Sequence, residues 1–125
     1  MWDLLTPVSQ KSPYQWVTVL LSHMAIGIAL FVWLLPIAFW IAPDHARLLA
    51  VWLAGSGYML FERFQGWKAG RMLWWDSVLD WCGVCNGTLI ALALWANDWL
   101  AAEAFILVAS AIAFAGSWAR RKSRS

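Results

Sequence analysis

Asp76 and Asp80 stand four residues apart, and Gly83 and Gly87 continue the same spacing through an otherwise apolar stretch. At 3.6 residues per turn all four positions point in nearly one direction, so two carboxylates face one groove of a helix. A carboxylate in a membrane-length apolar helix is costly and usually faces protein or water, which makes Asp80 a candidate functional residue. Glu62 and Gln65, three apart, close an earlier apolar run, and Arg71 stands between them and the aspartates. His23 lies about two helical turns, roughly 10 Å, inside the first apolar run. Ser22, His23, Glu62, Gln65, Arg71, Asp76 and Asp80 are therefore expected to converge at one end of a helical bundle.

Such a set supports three kinds of work, and residue types alone leave all three open. As packing glue, Arg71 pairs with Glu62 or Asp76 while His23 hydrogen-bonds Asp80. As a lipid-phosphate site, Arg71 and Lys68 grip phosphate and the acids serve as base or metal ligands. As an ion or proton path, the acids line the route. Cys82 and Cys85 have C-x-x-C spacing, but they follow Asp80 inside an apolar helix and turn away from the carboxylate stripe, so they are read as small packing residues. No second Cys or His pair with zinc spacing, no phosphate-cradling glycine loop and no nucleophile elbow is present. Neither a metal nor a cofactor is expected on that basis, and His45 is read as a solvated turn residue.

The elements that must position these residues follow from composition. Of 125 residues 62% are apolar and 13% charged, against a usual charged share of about 25% in soluble domains. Mean hydropathy is +0.62. This composition argues against a water-soluble globule, and a net charge of +2, dispersed along the chain, does not suggest a nucleic-acid surface. The expected fold is all-α, an integral membrane bundle of four transmembrane helices over 16–42, 46–62, 78–96 and 99–119. The second is the most polar of the four. Pro36 is tolerated in the first because neighbouring groups recover the lost hydrogen bond. Between the second and third, Glu62 to Ser77 alternates Arg63, Lys68 and Arg71 with Phe64, Trp67, Met72, Leu73, Trp74 and Trp75, the pattern of an interfacial connector. Asn97-Asp98 makes a tight turn, and a basic tail occupies 120–125.

Four spans put Lys11, Arg63, Lys68, Arg71, Arg120, Arg121, Lys122 and Arg124 on one side and Arg47 alone on the other. The positive-inside rule then expects both termini in the cytoplasm of a bacterial cell-membrane protein. Trp16, Trp40, Trp95, Trp99 and Trp118 fall near span ends and are read as interface anchors. Helices in lipid associate through small residues and polar contacts. Gly83, Gly87 and Ala91 in the third span, and Ala102, Ala109, Ala113 and Gly116 in the fourth, make the expected packing stripes, with Gly55-Ser56-Gly57 a similar cluster in the second.

Glu62-Arg63-Phe64-Gln65, Gly70-Arg71, and Asp76-Ser77-Val78-Leu79-Asp80-Trp81-Cys82-Gly83 together resemble the signature of VanZ-like membrane proteins. In that family a Glu and a Gln three residues on end one helix, an Arg follows in the loop, and an Asp, an Asn or Asp, and a Gly open the next. By position, Glu62, Gln65, Arg71, Asp76, Asp80 and Gly83 match. The Arg71 to Asp76 step is one residue shorter than the usual pattern, and Ala69 stands where a proline often precedes the Gly-Arg. The resemblance implies a small polytopic protein that binds or acts on an envelope lipid headgroup. Two other classes suit the same composition. One is a phage holin-like, membrane-perturbing protein that oligomerises through its small-residue stripes; the other is an accessory subunit of a membrane complex. Expected partners are membrane lipids, with a second copy or another membrane protein as the alternative.

Overall fold

The structure, a computed structural model, describes residues 12–68 and 74–122, with the backbone alone at 74–77. Among the described residues every regular element is helical: α1 (Pro13–Ile41), a 3₁₀ turn (Pro43–His45), α2 (Ala46–Lys68), α3 (Trp74–Trp95) and α4 (Trp99–Lys122). Three of these, α1, Val78–Trp95 within α3, and α4, are long and apolar enough to cross a membrane. Helix α2 is long enough, but Arg47, Glu62, Arg63 and Lys68 lower its hydropathy.

Local chemistry sets the helix ends. The Ser12 hydroxyl accepts from the Gln15 backbone N–H at 3.1 Å, and the Gln15 side chain accepts from the Ser12 N–H at 3.3 Å. This capping box, with Pro13 in the first turn, starts α1 three residues before the expected Trp16. Helix α3 ends at Trp95 and is closed by Asn97, whose φ of 55° is left-handed. The Asp98 N–H reaches the Ala93 carbonyl at 2.8 Å and the Asn97 N–H reaches Leu94 at 3.1 Å, the paired bonds of a Schellman motif. Asp98 then caps α4 by accepting from the Ala101 N–H at 3.0 Å.

Much of the expected interfacial connector over 62–77 is helical. Helix α2 runs on to Lys68, and α3 starts at Trp74, four residues earlier than Val78. Nothing between Phe61 and Lys68 stops a helix except Gly66, which an interior turn tolerates at about 1 kcal/mol. The basic tail is likewise partly helical, because Arg120, Arg121 and Lys122 form the last turn of α4, where cations oppose the helix dipole.

The helices pack up, down, up, down. Phe31, Leu35, Ala38, Ala46, Ala50 and Ala91 form the apolar core near one end, with α2 antiparallel to α1. Helix α1 buries Trp16, Leu20, His23, Gly27, Phe31, Leu35 and Ala38, a single seam at steps of three and four. Helix α2 answers with Ala46, Ala50, Ala54 and Tyr58, one residue per turn. Helix α3 lies parallel to α1 and comes closest to it: a Cβ on Gly27 would strike the Val84 carbonyl, and one on Gly87 would strike the Met24 carbonyl. The buried Thr88 hydroxyl, 2.8 Å from the Val84 carbonyl and 3.3 Å from that of Gly27, ties the two helices.

Helix α4 packs more lightly. Ala102 and Ala109 are buried in it, Ala113 and Gly116 are partly covered, and the Asn86 amide of α3 donates to the Phe105 carbonyl at 3.2 Å. Gly116 faces the Trp16 indole, so this tryptophan is a packing residue and not the interface anchor expected. It is 8% exposed, its Nε1 donates to the Ile112 carbonyl at 3.2 Å, and the Arg120 guanidinium stacks 4.1 Å from its ring. Trp40, Trp95, Trp99 and Trp118 are exposed.

Candidate functional site

The seams of α1, α2 and α3 each continue into one polar residue at the end of the bundle where α1 and α3 begin. Glu62 extends the row Ala50, Ala54 and Tyr58 by a further turn. His23 interrupts the apolar seam of α1, and Asp80 sits one turn before Gly83 on α3. The three side chains meet: one ligand-type atom from each lies within 4.8 Å of the other two.

His23 is 2% exposed and Asp80 8%, while Glu62 is half-buried. The His23 Nδ1–H donates to the Val19 carbonyl at 2.7 Å, because a carbonyl only accepts. That bond turns Nε2 toward Asp80, whose Oδ2 is 3.6 Å away. At that separation the two side chains are in contact but do not make the hydrogen bond expected between them. Gly83 makes the approach possible, since a Cβ there would come within 2.9 Å of the His23 Cβ. Tyr58 completes the cluster. Its hydroxyl donates to Glu62 Oε1 at 2.6 Å and its ring stands edge-on to the His23 imidazole, 5.9 Å between centroids.

Not every residue of the expected constellation joins this cluster. Ser22 is exposed and its hydroxyl returns to the Thr18 carbonyl at 2.8 Å, a local helix bond, so it is removed from the set. Gln65 is partly buried one turn beyond Glu62. Arg71 lies outside the described residues, as does the side chain of Asp76, whose backbone falls in the first turn of α3. Lys68 reaches over the Phe64 ring at 5.3 Å.

Tyr58 was not anticipated, because a tyrosine inside an apolar run carries no sequence signal of its own. A search at the spacing of Glu62 would have found it, as the two are four apart. The Trp81 indole N–H donates to the Gly55 carbonyl at 3.0 Å and pins α3 to α2 beside the cluster. Cys85 sits against Gly55, whose added Cβ would lie 3.6 Å from the sulfur, and so packs as expected. Cys82 does not: it is exposed, because the C-x-x-C step turns it onto the outer face of α3. His45 is exposed in the 3₁₀ turn.

The chain matches no family model, no curated protein and no solved structure in the three comparisons made. What the fold and site define is therefore a class: an all-helical protein with membrane-length apolar helices and a buried imidazole–carboxylate cluster where three of its helices meet.

Proposed function

We propose that this chain is a four-span, VanZ-like protein of a bacterial cytoplasmic membrane that binds the phosphate headgroup of an envelope lipid at the cytoplasmic end of its bundle. The observation that carries the reading is the position of the cluster. His23, Tyr58, Glu62 and Asp80 gather toward the same end as Arg63, Lys68, Arg120, Arg121 and Lys122, so the acid–base groups lie inside the bundle at the end that carries the phosphate-binding cations. The antiparallel run of α2 beside α1, from Ala46 near Ala38 to Tyr58 beside His23, supports a second crossing despite its polar ends. With four crossings, the positive-inside rule favours the cytoplasmic side for both termini and the basic helix ends.

A groove of about 520 Å³ between α1 and α4 supports a lipid in particular. Leu21, Met24, Ala113 and Phe114 line it, with Trp118 and Arg121 at the basic end. An acyl or prenyl chain fits such a wall, and Arg121 meets the charge of its headgroup. The test is mass spectrometry of the detergent-purified chain for retained lipid, followed by exchange with added polyprenyl phosphate. The native protein is expected to retain an anionic lipid that Arg121→Gln and Asp80→Asn lose. Retention no greater than that of an unrelated four-span protein sinks the reading.

One feature favours a second, holin-like reading. Ala104, Val108, Ala111 and Ala115 form an exposed row on α4, a small-residue face suited to another copy of the same helix. Timed collapse of membrane potential on induced expression would select this alternative, and an intact potential with normal growth removes it.

A further inference from the structure

We propose that His23, Glu62 and Asp80 bind a single divalent transition-metal ion of the zinc class. The site is the cluster on which the lipid reading rests, and the ion supplies what that reading lacks: a positive centre through which two carboxylates can face a phosphate.

The geometry at His23 carries the assignment. With Nδ1–H committed to the Val19 carbonyl, a neutral ring points the Nε2 lone pair at the Asp80 carboxylate. Two electron-rich atoms held 3.6 Å apart in a buried site repel, and a cation shared between them relieves that repulsion. A proton on Nε2 would draw the pair to about 2.7–2.9 Å. Two ligands of one tetrahedral ion, each about 2.0–2.2 Å from it, instead stand about 3.4 Å apart. The observed separation is nearer the second case.

The surroundings have the form of a metal site as well. A ligating imidazole ordinarily gives its other N–H to a carbonyl or carboxylate, which fixes tautomer and direction, and Val19 does this for His23. Tyr58 holds Glu62 from outside in the same manner. One imidazole with two carboxylates suits zinc and its neighbours, whereas magnesium and calcium take oxygen ligands. Three protein ligands leave a fourth position for water or a phosphate oxygen.

The test uses the full chain, purified in detergent through a tag without histidine, stripped with chelator and titrated with Zn²⁺ under metal analysis. About one ion per chain is expected. His23→Gln and Asp80→Asn should each weaken binding by at least about tenfold, while Gly57→Ala, whose added methyl meets open space, should bind as the native chain does. Because a ligand variant can misfold, Co²⁺ is added to the native chain in parallel. Visible absorption bands of nitrogen–oxygen coordination that Zn²⁺ displaces are expected. A folded native chain that holds no more Zn²⁺ than the variants, or gives no Co²⁺ bands, overturns the proposal and leaves His23 and Asp80 as a proton-sharing pair. Lipid retention is read separately, so a bound ion without lipid sinks the lipid reading alone, and lipid without an ion sinks the metal site alone.

Discussion

Gly27 and Gly87 sit on facing surfaces of α1 and α3, and each brings its own helix against the other's main chain. In lipid, where apolar burial gives no advantage over contact with acyl chains, such close backbone approach is a main source of helix association. Gly27→Leu and Gly87→Leu should each destabilise the bundle by about 1–3 kcal/mol or more, because the obstructing atoms are backbone and cannot rotate away. Unfolding in mixed detergent measures this. Gly57→Leu, on the open side of α2, should change little, and equal losses at all three glycines would sink the assignment of this interface.

Tyr58→Phe deletes one donor and leaves the ring. The half-buried Glu62 carboxylate loses a 2.6 Å hydrogen bond, and a cost of about 1–3 kcal/mol is expected, since this is a bond to a charged group. Unfolding at neutral pH should show the loss, and Tyr14→Phe, an exposed position on α1, should not. Equal stability of the two variants would mean that the Tyr58 hydroxyl contributes nothing to the site.

Trp16 joins α1 to α4 through its N–H to Ile112 and its ring beneath Arg120. Trp16→Leu removes the aromatic face together with the donor, for an expected loss of at least about 2 kcal/mol. Arg120→Gln removes the cation, for about 0.5–1 kcal/mol. The pair should be non-additive in a double-mutant cycle, because both changes strike one contact. Additive losses would place Arg120 elsewhere in the membrane-bound protein.

The four-span topology is checked by labelling single cysteines in a Cys82→Ala, Cys85→Ala background with a membrane-impermeant thiol reagent. His45→Cys should label in intact cells, and Ser123→Cys only after permeabilisation. Labelling of both from outside would make α2 a helix that does not cross and divide the basic residues between the two sides.

Much of this arrangement was legible in the chain. The stripe Asp80, Gly83 and Gly87 announces a face with both a charge and a close approach, and the structure turns that face to α1. Glu62 is likewise legible, because it ends an apolar run at the level of Asp80. The buried seam of α1 is not, since nearly every residue from Trp16 to Ala42 is apolar and hydropathy cannot choose a side. His23 and Gly27 mark it, but the polar Thr18 and Ser22 lie on the exposed side and blur the signal. Metal-ligand spacing was invisible for a different reason: the three candidate ligands come from three helices, and no interval along the chain connects them. The extensions of α2 to Lys68 and α3 back to Trp74 were hidden by charges that a helix end accommodates as readily as a loop.

Because α1 and α3 run parallel, they cannot be neighbours in an emerging chain without a returning segment between them. A chain that ends after α2 carries His23, Tyr58 and Glu62, but the carboxylate of Asp80 belongs to the next helix. The pocket is therefore closed by the third helix to leave the ribosome, against a glycine surface on the first. A chain arrested after α2 would hold only part of the site, an imidazole and one acid without the second carboxylate. Assembly of the bundle and maturation of the site are, for this chain, the same event.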